Sequence, residues 1–181
     1  MVQSLNLPGI RAFFSVLVTP ALMRPAISVP DVSHIDFQAL YNRGIRAIAF
    51  DKDNCLTAPY ANDLHPSLHR AFAECTAAFG RDNMAVYSNS AGTPDDKDGG
   101  MAKALESSLG IAVLSHAEKK PAGGYEIAAY FRLPAHQVAF VGDRALTDVV
   151  MANRNGYLSI HTYRVLTEKG DNGPAKWVRF L

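Results

Sequence analysis

Ile45-Arg46-Ala47-Ile48-Ala49-Phe50-Asp51-Lys52-Asp53-Asn54-Cys55-Leu56-Thr57 joins a short apolar run to two aspartates one residue apart. Short apolar runs of this length are the pattern of strands buried in a parallel sheet. Carboxylates at the carboxyl end of such a strand stand where open α/β sheets build their sites. Two of them so close repel each other unless a cation or a shared proton holds them. The pairing therefore points to metal-assisted phosphoryl chemistry with an aspartate nucleophile.

Outward from this stretch, strands and helices alternate. The first strand is expected over about 45–51, after a short helix from Asp36 that Gly44 closes. A helix follows Pro66, with Leu68, Phe72, Cys75 and Phe79 as its inner face. Further strands are expected at Met84–Ser88, Ile111–Leu114, Val138–Val141 and Tyr157–Ile160. The intervening helices are Gly99–Leu109, Pro121 to about Arg132, and about 145–154. Strands alternating with helices of this length imply βαβ units and a parallel sheet. The expected fold is α/β, a three-layer α/β/α sandwich with no large cap domain.

Polar residues follow four of these strands. Asp51 and Asp53 follow the first, and Ser88 and Asn89 the second. Lys119 and Lys120 lie after the third. Asp143 follows the fourth, with Asp148 five residues on. In a parallel sheet all reach one edge. A carboxylate there can attack phosphorus and form an aspartyl-phosphate. A second can protonate the leaving oxygen and then activate water. Mg²⁺ takes oxygen ligands and suits aspartates plus phosphate. A hydroxyl and an ammonium can hold the phosphoryl oxygens as charge spreads. Each piece alone is a common surface feature; their order after successive strands is what is specific.

That order resembles the haloacid dehalogenase (HAD) superfamily. The resemblance implies Asp51 as nucleophile and Asp53 as general acid and base, with the Asp53 backbone carbonyl also on the metal. It implies Ser88 as the phosphate-holding hydroxyl, Asp143 as a metal ligand and Asp148 as its support. Either lysine fits the charge-balancing role; Lys120 is preferred because the family lysine often directly precedes proline. Asp51–Thr57, Ser88–Thr93 with Asp95–Asp98, Lys119-Lys120-Pro121 and Gly142-Asp143-Arg144 with Thr147-Asp148 are similar to a narrower family. This is the mitochondrial phosphatidylglycerophosphate phosphatases of fungi and plants. The likeness implies release of the terminal phosphate of that lipid, giving phosphatidylglycerol for cardiolipin, at the matrix side of the mitochondrial inner membrane. Lys52, Asn89 and Arg144 are candidate substrate-binding side chains. The alternatives are a HAD phosphatase for a soluble nucleotide or sugar phosphate, and a non-enzymatic membrane-associated module.

Composition agrees with one folded domain. Of 181 residues, 48% are hydrophobic, and the formal charge of +1 gives no drive toward nucleic acid. Cys55 and Cys75 read as reduced thiols. Residues 1–30 contain no acid and form a distinct segment, leaving 31–181 as the phosphatase domain. Ile10, Phe13, Phe14, Leu17 and Val18 follow the spacing of one helix face. That face is expected to pack on the core, to lie in a membrane interface as a peripheral anchor, or to pair two copies as a homo-oligomer. Asp95, Asp96 and Asp98 read as a solvated turn and helix start. His116 and His161 read as structural.

Overall fold

The computed structural model describes residues 18–166. Ile10, Phe13, Phe14 and Leu17 of the expected N-terminal helix face lie outside the described residues. Six parallel strands form one sheet in the order β1-β6-β5-β2-β3-β4. They are β1 Ile27–Val29, β2 Ala47–Phe50, β3 Met84–Val86, β4 Ala112–Val113, β5 Val138–Gly142 and β6 Leu158–Thr162. The helices are α1 Phe37–Asn42, α2 His69–Phe79, α3 Gly100–Leu109, α4 Tyr125–Phe131 and α5 Val150–Asn155.

Alternation along each strand divides the core in two, because successive side chains leave opposite faces. Ile48, Phe50, Ala139 and Val141 pack beneath Leu68, Phe72, Cys75, Phe79 and Leu105. Ala49, Val138 and Phe140 pack with Ile127, Met151 and Tyr157 on the other face. Leu68, Phe72, Cys75 and Phe79, the inner face expected for the second helix, are all buried.

Two boundaries differ from the sequence reading. β1 lies inside the stretch assigned to a separate N-terminal segment, so the sheet begins before residue 30. Ile27 pairs with Ile160 and Val29 with Thr162. Asn153 anchors the chain just before β1 by donating to the carbonyls of Leu22 (2.8 Å) and Arg24 (3.0 Å). A three-residue edge strand ending at a proline carries little periodicity of its own. The helix expected from Pro121 begins at Tyr125 instead. Gly123 and Gly124 adopt φ of 68° and 92°, which turns the chain before the helix can start.

The chain runs from β2 outward to β3 and β4, then returns to β5 on the other flank of β2. The β2/β5 boundary is thus where the strand order reverses, and open sheets place their ligands outside the strand ends at such a point. The Asp51 amide donates to the Val141 carbonyl at 2.8 Å, which brings the chain leaving β2 beside the chain leaving β5.

Candidate active site

Asp51, Asp143 and Asp148 meet at this switch point. One carboxylate oxygen from each lies within 4.8 Å of the other two, and all three residues are buried. Lys120 stands among them with 3% of its surface exposed. Its ammonium is 2.7 Å from Asp51 Oδ1 and 2.7 Å from Asp148 Oδ1. Lys119 instead turns outward and pairs with Asp95. Of the two lysines left open by the sequence, Lys120 is the one that enters the acidic cluster.

Burial raises the Asp51 carboxyl, but Lys120 and then Arg144 outweigh it and hold the group below the ordinary carboxylate range. Asp148 goes the other way. Burial holds it above the ordinary value, and the Asp51 charge adds to that against the opposing pull of Lys120. Burial pulls Lys120 down, yet Asp148 and Asp51 together keep it above its usual value. Lys120 thus favours the charged form of Asp51, and the two carboxylates favour the charged form of Lys120. Burial, then the charges of Asp51, Asp143 and Asp148, push the Cys55 thiol well up, so that it remains protonated.

Three buried oxygen donors around one point match the ligand preference of a hard divalent cation. Asp53 is not in this triad. Its Oδ1 accepts from Lys52 Nζ at 2.7 Å and from the Tyr60 amide at 3.0 Å, with 23% of its side chain exposed. Metal contact by Asp53 was expected through its backbone carbonyl, so the position of its carboxylate does not conflict with that expectation.

Lys52, a candidate substrate-binding side chain in the sequence, is only 4% exposed. Its carbonyl receives the amides of Leu56 and Thr57 at 3.0 Å each and of Cys55 at 3.3 Å. This tight turn folds the chain over Lys52 and commits its ammonium to Asp53. Asn89 is likewise engaged within the protein: its Oδ1 accepts from the Lys120 amide at 2.7 Å, and its Nδ2 donates to the Lys120 carbonyl at 3.2 Å. Arg144 remains near all four acids, whose charges, led by Asp51, hold it above its usual value despite burial. A quarter of its side chain reaches the surface. Ser88 is buried after β3, and its Oγ lies 3.0 Å from Ser90 Oγ.

The supporting residues have structural roles. Asp96 accepts from the amides of Met101 (3.1 Å) and Ala102 (2.9 Å), capping α3, and from Gly92 (3.2 Å). His116 stacks on Tyr87, and His161 Nε2 lies 3.1 Å from the Asp143 carbonyl. Gly142, read in the sequence only as part of the Gly142-Asp143-Arg144 motif, has a steric role. A Cβ on Gly142 would sit 2.5 Å from Asp148 Cβ, Cγ and Oδ2, so only glycine lets that side chain close over the strand end.

The chain is similar to named proteins over most of its length. It is 44% identical over 172 residues to the chloroplastic phosphatidylglycerophosphate phosphatase 1 of Chlamydomonas reinhardtii, covering 93% of this chain and 63% of that protein. It is 44% identical over 163 residues to the chloroplastic/mitochondrial protein of the same name in Arabidopsis thaliana, covering 88% and 47%. The chain thus spans less than two thirds of either relative. It is 34% identical over 157 residues to the mitochondrial phosphatidylglycerophosphatase of Saccharomyces cerevisiae, covering 84% of each. No solved structure matches significantly. The profile of a family described as mitochondrial PGP phosphatase, PGP being phosphatidylglycerophosphate, matches residues 7–166, a span that holds every site residue above. The chain belongs to the mitochondrial PGP phosphatase family.

Proposed function

We propose that this chain hydrolyses the terminal phosphomonoester of phosphatidylglycerophosphate, giving phosphatidylglycerol and inorganic phosphate, by a HAD-type mechanism. The observation that carries the reading is the meeting of Asp51, Asp143 and Asp148 around Lys120 at the strand ends. The names of the relatives supply the lipid.

In the proposed reaction an Asp51 oxygen attacks phosphorus and the bond to the glycerol oxygen breaks. Asp53 gives its proton to that oxygen, releasing phosphatidylglycerol and leaving an aspartyl-phosphate. Asp53, now a carboxylate, takes a proton from water as the water oxygen attacks phosphorus, and the bond to Asp51 breaks. Lys120 and Ser88 hold the phosphoryl oxygens, and Arg144 is placed to meet the phosphodiester of the same lipid. Mg²⁺, when held by Asp51, Asp143, Asp148 and the Asp53 carbonyl, would supply charge to offset that of the phosphate. For Asp53 to reach the leaving oxygen it must exchange its contacts with Lys52 and the Tyr60 amide for substrate.

Further features support a lipid presented by a membrane. Between Asp53 and Ser88 the only α-helix is α2, leading into β3, and between Ser88 and Lys120 it is α3, leading into β4, so neither interval holds a cap domain. Tyr60, Met101, Tyr125 and Tyr163 are exposed large side chains, and each follows a strand or opens a helix at the catalytic edge. Tyrosine rings suit the headgroup level of a bilayer. Among the described residues no helix is long and apolar enough to cross a membrane, and the association proposed is peripheral. The mitochondrial names of the fungal relatives support a mitochondrial location; the matrix side of the inner membrane and supply to cardiolipin synthesis are part of the proposal. The N-terminal segment is proposed as a further membrane or self-association element.

The test compares phosphate release from phosphatidylglycerophosphate in detergent micelles with release from nucleotide and sugar phosphates. The lipid is expected to be preferred by orders of magnitude, with EDTA abolishing turnover and Mg²⁺ restoring it. Preference for a soluble ester would overturn the lipid assignment.

A further inference from the structure

The segment Ser88-Asn89-Ser90-Ala91-Gly92-Thr93-Pro94-Asp95-Asp96 contributes only one hydroxyl to the proposed reaction, yet it is sewn to the lysine loop at several points. Asn89 takes both polar groups of the Lys120 backbone, amide to Oδ1 at 2.7 Å and carbonyl from Nδ2 at 3.2 Å. The His116 amide donates to the Gly92 carbonyl at 2.9 Å. A Cβ on Gly92 would stand 2.7 Å from the Leu114 carbonyl oxygen, so the two loops touch backbone to backbone. Lys119 pairs with Asp95 across the same seam.

We infer that Asn89 is a positioning residue that fixes Lys120, and that it acts on the phosphoryl group through that lysine rather than by touching substrate. The inference rests on the role proposed for Lys120 above. Lys120 must hold its ammonium between two carboxylates, each 2.7 Å away, at the end of a long flexible stem. The stem can be aimed only if its backbone is fixed. The Lys120 amide and carbonyl belong to no helix or strand, and Asn89 supplies a partner to each. A side-chain amide is suited to this because it carries a donor and an acceptor a short distance apart. The same two bonds turn both polar groups of Asn89 toward the lysine backbone. The lysine pair then divides its work: Lys120 faces the acids, while Lys119 ties the loop from outside through an exposed pair of the kind that contributes little energy.

The test uses the full chain with Mg²⁺, and two substrates that share only the reacting phosphoryl group: phosphatidylglycerophosphate in micelles and p-nitrophenyl phosphate. Asn89→Ala is expected to lower kcat about 100-fold on both, the scale of a small misplacement at a reacting centre, with KM changed less than about twofold. In a Lys120→Met background Asn89→Ala should have no further effect, since residues acting through one group are not additive. Asp95→Ala should leave kcat within about twofold. Amide hydrogen exchange at Lys120 should quicken in Asn89→Ala while the exchange of β2 and β5 is unchanged. Asn89→Leu, which keeps the branching of asparagine without its donor and acceptor, gives the same readings should the alanine variant fold poorly. A rise in KM at constant kcat, full additivity with Lys120→Met, or unchanged exchange at Lys120 would overturn the inference. A parent chain that hydrolyses neither substrate would instead refute the functional reading, and the exchange measurement would still decide whether Asn89 holds the lysine backbone.

Discussion

Lys120 keeps its proton in a place where burial alone works against it, because two carboxylates hold it there. Removing one partner of a buried charge set leaves the others uncompensated. Lys120→Met is therefore expected to lower stability by about 3–5 kcal/mol in EDTA, read by urea unfolding. Mg²⁺ should recover part of the loss, since the three carboxylates that remain are oxygen donors; no recovery would argue against cation binding by the triad. Asp51→Asn keeps the size of the side chain and should leave the fold intact, while turnover falls roughly 10⁴-fold or more, the scale of losing a nucleophile. Normal turnover in that variant would end the aspartyl-phosphate mechanism. Asp51, Asp143 and Lys120 were legible in the sequence because each follows its own strand, and Asp148 because it lies five residues past Asp143. Lys52 was not, because its direction is set by the amides that converge on its carbonyl rather than by the strand before it. Nor was the engagement of Asn89, whose partner is 31 residues away.

The element that brings Asp148 to the cluster is not the plain α-helix expected over 145–154. Ala145–Val149 form a wider π-type turn, and α5 follows from Val150. Asp148 and Val149 both direct their amides at the Arg144 carbonyl, at 2.8 and 3.4 Å. The Asp148 Oδ2 accepts from the Arg144 amide at 3.0 Å, which folds the acid back over the strand end. Widened turns of this kind recur at functional sites, and hydrophobic periodicity cannot reveal one, since it shifts the register by a single residue. The position of the Asp148 side chain depends on Gly142. Gly142→Ala is expected to force Asp148 outward, with an overpacking penalty of roughly 1–3 kcal/mol in urea unfolding and a loss of turnover that added Mg²⁺ does not restore. An alanine variant with parental stability and turnover would show that Asp148 tolerates displacement. The strands β2, β3 and β5 were legible for the opposite reason: they are fully buried, and their apolar runs report that directly.

Across the whole molecule, the two ends of the sheet differ in character. The carboxyl edge holds the acids, the buried lysine and the exposed side chains Tyr60, Met101, Tyr125 and Tyr163, whereas Tyr41 and Tyr130 stand toward the far ends of their helices at the amino edge. Tyr60 is displayed from a left-handed backbone, φ 63°, which a bulky residue adopts rarely. Its amide holds the Asp53 carboxylate. The surface nearby mixes Asp95, Asp98 and Glu118 with Lys97 and Arg164, so it offers no single-sign field to an anionic bilayer. Docking through this edge should then depend on aromatic rings at the headgroup level more than on charge. Substituting Tyr60, Tyr125 and Tyr163 together by serine is expected to weaken sedimentation of the full chain with phosphatidylcholine/phosphatidylglycerol vesicles roughly tenfold or more, a loss of about 1.4 kcal/mol or greater. Tyr130→Ser at the opposite edge should sediment like the parent, and high salt should change little. If the triple variant still sediments like the parent, or salt alone releases the chain, the tyrosine edge is not what meets the membrane.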